Sequence, residues 1–352
     1  MKQRNYAFDL LCGLCIVRMI SLHVISSIGY RGEYHFGKVM AWTFFFICFF
    51  FFKAGYFNKG INAPLASYAL DRAKRLLAPY LTWGIIGNCI YFSLLYAFPH
   101  TFARNIHMLR WSHLWTQSHF YGNPPVWFLF SFCMMYMCAW VDSRVATICA
   151  VRGRLTSTLC TAVRCSLFVV LPVASYQLWR HHNPLWLSLS NVPIGLFMFQ
   201  LGHLWHQVEK RLPQHWFLTV SIALTILFLA NNHLHHGEYD MSLNKWVQHP
   251  DWCVWNTMCA LCGLSGILLS LRSPRTPVLC HIGEHSMVFF VMHYPIIHIY
   301  TLGMRLMHIT TRHQWHHAWI MLAIIFAICF VSIPLIERVP ILSGRWNKEK
   351  QR

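Results

Sequence analysis

The sequence predicts an all-α fold, a polytopic bundle of about ten transmembrane helices with both termini on the cytoplasmic side. Of its 352 residues, 56% are hydrophobic and only 11% are charged, whereas soluble domains carry about 25% charged residues. Continuous apolar runs of about 20 residues, the length of a membrane-spanning helix, recur along the whole chain. Because no linker divides these runs, we expect a single transmembrane domain over residues 1–352.

The apolar runs delimit ten predicted spans: 8–28, 39–57, 76–97, 126–142, 166–180, 185–206, 215–230, 253–271, 283–303 and 317–336. The segments between them are predicted to be loops, the longest being 98–125, 143–165 and 231–252. With residues 1–7 inside, most lysines and arginines fall in inner segments, as in cytoplasmic loops generally. The even number of spans returns the C-terminus to that side, and we expect a multi-pass protein of the cytoplasmic (inner) cell membrane. The same charge rule accounts for the net charge of +18, so no nucleic-acid partner is expected.

The first span contains two ionisable residues, Arg18 and His23, at depths where charge is costly. A charged side chain at the bilayer centre costs about 2.5–3.5 kcal/mol on insertion scales, so such a group is usually buried, paired or functional. His23 follows Phe8 by roughly 22 Å of helical rise, which places it in the outer half of the bilayer. An ordinary imidazole titrates near pH 6.5 and suits a general base; the alternative is a buried histidine satisfied by a neighbouring helix.

Arg18 lies about 7.5 Å deeper than His23 along the same helix, and well round the helix from it. A guanidinium there is suited to polarising a carbonyl, holding an anion or orienting a base. The alternative is a structural pair with one of the few intramembrane carboxylates, for which Asp9 and Glu284 are the nearest candidates by depth.

Basic residues near the inner face form a candidate anion site. Arg72 and Arg75 are three residues apart and therefore share a helix face, and two guanidinium groups together clamp phosphate or carboxylate well. Lys53, near the inner end of the second span, either contacts a phosphate or extends its amine to the interface.

Five segments, in this order, resemble the acyltransferase 3 family of integral-membrane acyltransferases, and loose similarity covers nearly the whole chain. The residues that carry the resemblance are Asp9, Gly13 and His23 in the first span, Gly55-Tyr56 in FFFKAGYF, Arg72-x-x-Arg75 before LLAPYLTW, Trp127-Phe128 in PPVWFLFSF, and Ser286, His293 and Pro295 in IGEHSMVFFVMHYPI. The family's first helix usually carries an arginine ten intervening residues before the histidine. That position is Cys12 in this chain, and the nearest arginine is Arg18.

The resemblance implies an enzyme that moves an acyl group, most often acetyl, from cytoplasmic acyl-CoA to a hydroxyl of an envelope sugar or polysaccharide. It implies that Arg72 and Arg75 face the cytoplasm where acyl-CoA is made, with His23 as the general base. Arg18 would stabilise the oxyanion, and His293 would assist or line the pocket, unless it only hydrogen-bonds between helices. The partners expected are acyl-CoA (acetyl-CoA) as co-substrate, the acceptor and the lipid bilayer, and no metal is expected.

Two other functions fit the sequence. A polysaccharide or lipid-linked-sugar transporter would also be basic inside and aromatic outside, although the chain lacks a convincing internal repeat. A membrane metalloprotein would use histidine clusters, and the candidates are His233, His235 and His236, or His313 and His317 at i,i+4. The identity of the acceptor, the acyl chain length and the oligomeric state are left open.

Overall fold

The computed structural model describes residues 5–30, 42–58, 63–97, 119–151, 154–181, 186–234, 238–241, 245–247, 250–271 and 276–346. Within these ranges, six helices are long and apolar enough to cross a membrane. They are Tyr6–Ser27, Pro124–Ile148, Gln214–Leu234, Trp252–Ser270, Ser286–Leu306 and Trp315–Arg338. Each coincides with a predicted span, which confirms a multi-pass helical membrane protein.

The first half of the chain forms helices α1 to α6. Their bounds are Tyr6–Ser27 (α1), Phe46–Tyr56 (α2), Leu65–Arg72 (α3), Ala78–Ala97 (α4), Trp127–Val151 (α5) and Arg154–Arg180 (α6). A π-helical turn, Ala73–Leu77, joins α3 to α4, and a short 3₁₀ turn, Pro124–Val126, precedes α5. At the start of α1, the Asn5 side chain accepts a hydrogen bond from the Phe8 amide at 3.3 Å, and Asp9 lies in the first turn, where a negative charge is favourable.

The second half contains helices α7 to α13 and one small hairpin. The helices are Val192–Arg211 (α7), Gln214–Leu234 (α8), Pro250–Ser270 (α9), Pro277–Glu284 (α10), Ser286–Leu306 (α11), Trp315–Arg338 (α12) and Pro340–Ser343 (α13). A 3₁₀ segment, Trp186–Asn191, precedes α7. Strands β1 (Glu238–Asp240) and β2 (Lys245–Val247) pair antiparallel.

Two predicted loops prove to contain regular structure. The segment 143–165 is largely helical, since α5 continues to Val151 and α6 begins at Arg154. The segment 231–252 contains the short β hairpin, a small addition to a bundle that is otherwise helical as predicted. In both segments the polar composition resembles that of a loop, but polar residues also continue a helix beyond its apolar span or pair two short strands.

Four predicted spans, 39–57, 76–97, 166–180 and 185–206, are not among the six. The second of the ten corresponds to α2, which has only 11 residues. The other three coincide with α4, α6 and α7, which are long enough, but polar and weakly apolar residues such as Asn88, Gln200 and His203 dilute them. Ten spans therefore remain a prediction.

Helix α1 lies at the centre of the bundle and packs against α2, α9, α10, α11 and α12. Its buried side chains include Phe8, Ile16 and Ile20. Helix α2 packs along α7, α8 pairs with α9, and α11 lies between α4 and α12. The central position of α1 brings its ionisable residues into contact with other helices rather than lipid.

Both ends of the described chain lie at the same end of the bundle. The backbone of Gly283 packs directly against the carbonyl of Asp9, near the start of α1. Arg345, beyond the last helix, donates from Nη2 to the carbonyl oxygen of Glu284 at 3.1 Å. This agrees with an even number of spans; that this end faces the cytoplasm is a prediction from charge, and it is called the basic end here.

Helices α2 and α7 approach closely because each has a glycine at the crossing. A Cβ at Gly55 would lie 1.7 Å from the Phe199 carbonyl oxygen, and a Cβ at Gly202 would lie 2.0 Å from that of Phe52. Both contacts are with backbone atoms, so a side chain at either position separates the helices. Small residues at such crossings are the usual means of close helix packing in membranes.

We therefore expect Gly55→Ala to destabilise the protein by roughly 1–3 kcal/mol, the usual cost of overpacking. The matched control is Gly303→Ala in α11, where nothing lies within 4 Å of the added Cβ. That variant should be unchanged or slightly stabilised, since alanine favours helix by about 0.5–1 kcal/mol. Thermal unfolding of the purified variants in one detergent measures the difference, and equal midpoints for the two would contradict the packing described.

Candidate active site

Two histidines from different helices meet in the half of the bundle away from the basic end. His23 projects from α1 and His293 from α11, and their ring centroids are 5.2 Å apart. The ring of Tyr294 meets that of His23 edge-on at 5.4 Å. His23 is half-buried, whereas His293 is completely buried. The structure therefore brings together two of the three residues predicted to be catalytic.

The hydrogen bonding of His293 fixes which ring nitrogen is free. Its Nδ1 lies 3.2 Å from the carbonyl oxygen of Phe289. A carbonyl oxygen only accepts, so in the neutral ring we assign the proton to Nδ1 and the lone pair to Nε2. Nε2 is buried and has no hydrogen-bond partner among the described residues. His293 thus presents a hydrogen-bond acceptor beside His23.

A proline in α11 leaves one backbone carbonyl near His293 without its usual helical hydrogen bond. Pro295 lies inside the helix and has no N–H to donate to the carbonyl of Val291, one turn earlier. The completely buried Asn123 donates from Nδ2 to that oxygen at 2.8 Å. Asn123 therefore satisfies the carbonyl that Pro295 leaves open, two residues from His293.

Close packing of two glycines brings the Asn123 segment to this position. A Cβ at Gly122 would lie 1.8 Å from the carbonyl oxygen of Gly87 in α4, so only glycine fits. The Gly122 amide donates to Oδ1 of Asn88 at 3.0 Å. Asn123 is not among the residues predicted from the sequence. The signal that the sequence does offer is an asparagine immediately before Pro124, at the start of a helix whose partner helix carries an internal proline.

We expect Asn123→Ala to lower the free energy of unfolding by about 1–3 kcal/mol, because the buried Val291 carbonyl loses its partner. The matched test is the same change in a Pro295→Ala background. There the residue 295 amide bonds the Val291 carbonyl within the helix, so removal of Asn123 should cost clearly less. A double-mutant cycle on unfolding midpoints measures this coupling, and additive effects would contradict the assignment.

Aromatic rings continue from the histidine pair towards α4. Tyr294 packs edge-on against His298 at 4.9 Å, and His298 packs against Tyr91 at 5.3 Å. Trp127, at the start of α5, is buried and its ring lies 6.4 Å from that of His119.

Arg18 is directed towards α2 and not towards the histidine pair. Its Nε donates to the Thr43 hydroxyl at 3.1 Å, and the guanidinium carbon lies 3.8 Å from the Phe46 ring centroid. Cys12, at the position where the related family has its arginine, is completely buried. The helical spacing explains the direction, because five residues rotate Arg18 well round α1 from His23.

The predicted arginine pair lies at the basic end and shares a carboxylate. Asp71 accepts from the Nε of Arg75 at 2.8 Å, and the Nε of Arg72 is 3.8 Å from its other oxygen. The Arg72 guanidinium also lies over the rings of Tyr136 and Tyr68, 4.4 and 4.9 Å from their centroids. Burial raises the pKa of Tyr68 to about 12, so that phenol stays neutral near Arg72 at neutral pH. Two guanidinium groups against one carboxylate leave an excess of positive charge.

Lys53 lies in the last turn of α2. This turn is also at the basic end, because Tyr56 in the same turn contacts Phe8 near the start of α1. It is half-buried, and both it and Arg18 lie within electrostatic range of the buried Cys15 thiol. The charges of Arg18 and Lys53 therefore continue inward from the basic end along the interface of α1 and α2.

Within the part of the chain that the structure describes, the histidines that the sequence offers as metal ligands form no group of three possible ligands. His313 precedes α12 with a positive φ of 58° and packs on Tyr30, whereas Nδ1 of His317 lies 2.7 Å from the Tyr300 hydroxyl. They are therefore not on one helical turn. His233 ends α8, and His235 and His236 lie outside the described residues. Among the described residues, a different group has metal-compatible spacing, namely His281, Glu284 and His285 at the basic end.

Comparison with known proteins identifies one family. The family model of an acyltransferase domain matches residues 5–337, which is nearly the whole chain. All six residues predicted to form the site lie within the match. No curated protein and no solved structure matches the chain.

Proposed function

The chain belongs to the acyltransferase 3 family and is a membrane acyltransferase, and we propose that it transfers an acetyl group from acyl-CoA to a hydroxyl of an envelope sugar or polysaccharide. The observation that carries the proposal is the pairing of His23 with His293 in one half of the bundle, while Arg72 and Arg75 lie at the other end. The donor and the acceptor would thus approach from opposite sides of the cytoplasmic membrane.

His23 is proposed to act as the general base. The acceptor hydroxyl attacks the thioester carbonyl, and the imidazole takes the hydroxyl proton as the new C–O bond forms. When the C–S bond breaks, the same imidazolium returns that proton to the departing thiolate. The half-buried His23 is the accessible member of the pair. The Nε2 acceptor of His293 would accept a hydrogen bond from a neighbouring hydroxyl of the sugar, because the single proton of the attacking hydroxyl goes to His23.

The basic end is proposed to hold the anionic part of acyl-CoA. Arg72 and Arg75 offer planar, fixed donors for phosphate oxygens, and Lys53 adds a charge further inward. The pantetheine arm would then extend between helices towards His23. Arg18 lies between the two ends, with its guanidinium turned towards Thr43 and Phe46. In that orientation it does not face the carbonyl attacked at His23, so the oxyanion role expected of Arg18 is not part of this proposal.

The function is tested by mass spectrometry of envelope glycans from cells with the intact gene, without it, and with the gene restored. The expected result is a mass difference of one acyl group, acetyl in the present proposal, that disappears without the gene and returns with it. Restoration with His23→Gln should fail, whereas restoration with His215→Gln, an exposed histidine at the start of α8, should succeed. Identical glycans in all strains would overturn the proposal.

A further inference from the structure

A cluster of two histidines and a glutamate lies at the corner between α10 and α11, at the basic end. His281 and Glu284 belong to the last turn of α10, and His285 lies between the helices. The three donor atoms they offer all lie within 4.8 Å of one another. The rings of His281 and His285 are 4.4 Å apart by their centroids. The cluster is half-buried to exposed, so an ion from solution reaches it.

A carboxylate behind His285 orients this cluster. Nδ1 of His285 lies 2.5 Å from Oε1 of Glu337 at the end of α12, and the other oxygen of Glu337 lies 2.5 Å from Nη1 of Arg345. A carboxylate accepts, so Nδ1 carries the proton and Nε2 keeps its lone pair. Nε2 is 3.6 Å from the Glu284 carboxylate. Histidines that ligate metals characteristically donate their other N–H to a carboxylate in this way.

We propose that His281, His285 and Glu284 bind one Zn²⁺ ion, with water in the fourth position. Two imidazole nitrogens and one carboxylate oxygen form a donor set that zinc takes in tetrahedral geometry, at about 2.0–2.2 Å. Calcium and magnesium prefer oxygen donors alone, so the two histidines favour a transition metal. Arg345 compensates the charge of Glu337, and Glu284 remains to balance the cation.

The ion would stabilise the basic end, because Glu337 and Arg345 connect the cluster to the C-terminal segment. Arg345 also donates to the Glu284 carbonyl, and Trp346 donates from Nε1 to the carbonyl of Lys74 at 2.7 Å. The spacing His281-x-x-Glu284-His285 is visible in the sequence, but Glu337, which is 52 residues from His285 and orients it, comes beside it only in the fold. The proposal does not depend on acyl transfer.

Zinc content and affinity test the site directly. The purified full chain in detergent is treated with a chelator, dialysed against buffered Zn²⁺, and analysed for bound metal. We expect His281→Gln and Glu284→Gln each to lose one equivalent that the unchanged chain holds, with the chain still monodisperse. Glu337→Gln should retain the equivalent with affinity lowered about 10–100-fold, the usual effect of removing such a carboxylate.

The control is His215→Gln, which removes an exposed histidine from a position without the other ligands and should bind as the unchanged chain does. Co²⁺ substitution gives a second readout on the unchanged chain, because tetrahedral Co²⁺ absorbs strongly in the visible range, and this requires no variant to fold. Equal zinc binding by His281→Gln, Glu284→Gln and the unchanged chain, or Co²⁺ absorption that His281→Gln leaves unaltered, would overturn the proposal.

Discussion

Replacement of His23 by glutamine is expected to lower kcat for acyl transfer by about 10²–10⁴-fold, the usual contribution of a positioned general base. Glutamine keeps a polar side chain of similar reach but takes no proton at neutral pH. KM for acyl-CoA should stay nearly constant, because the arginine pair lies at the other end of the bundle. Release of CoA thiol by membranes or purified protein, with an acceptor fraction from the host envelope, measures both constants.

The variant His293→Gln distinguishes the role of His293 from that of His23. A hydrogen-bonding role predicts a higher KM for the acceptor with a smaller loss of kcat, since the glutamine amide replaces the ring Nε2 next to His23 with a differently placed acceptor. His215→Gln serves as the control and should keep both constants. If His23→Gln retained the full kcat while His293→Gln lost it, the base would be His293, and the assignment of His23 would be wrong.

Removal of the guanidinium at Arg72 or Arg75 is expected to raise KM for acyl-CoA by about 10–100-fold for each residue. A hydrogen bond to a charged group contributes about 1.5–3 kcal/mol, and each 1.4 kcal/mol corresponds to a factor of ten. Arg72→Gln also loses the stacking on Tyr136 and Tyr68, so its stability should fall more than that of Arg75→Gln. Initial rates against acyl-CoA concentration, with unfolding midpoints, distinguish these effects.

Replacement of Asp71 at the same site should change KM for acyl-CoA in the opposite direction. Its carboxylate now accepts from Arg75 and lies near Arg72, so it competes with the phosphates of a bound nucleotide. Asp71→Asn should therefore lower KM for acyl-CoA. Arg211→Gln, an exposed arginine at the same end of the bundle, is the control for the general effect of positive charge. A raised KM in Asp71→Asn, or equal effects of Arg211→Gln and Arg75→Gln, would contradict a phosphate clamp.

The sequence alone predicts those features of this protein that are properties of a single helix. Apolar length predicts α1, α5, α8, α9, α11 and α12, and helical rise places His23 in the half of the bundle where the structure has it. The helical period also predicts that Arg18 and His23 point in different directions from α1. The structure agrees, since the Arg18 guanidinium lies against Phe46.

Features that depend on two helices meeting are not predictable in this way. The contact of His23 with His293 requires α1 and α11 to pack at one register, which hydropathy does not specify. The role of Asn123 as the hydrogen-bond partner of the Val291 carbonyl is apparent only once the two segments are seen side by side. The hydrogen bond between His285 and Glu337 likewise joins two segments that are far apart in the sequence. The i,i+4 spacing of His313 and His317 was misleading, because His313 lies in a turn before α12 begins at Trp315.

The central claim is that an acyl group supplied at the basic end is transferred at His23. Inside-out membrane vesicles, whose cytoplasmic face is outward, test it most directly when they are given acetyl-CoA with a labelled acetyl group. We expect labelled glycan to accumulate inside vesicles that contain the unchanged chain or His215→Gln, and to fall to background with His23→Gln. Equal labelling with His23→Gln and the unchanged chain would contradict the account.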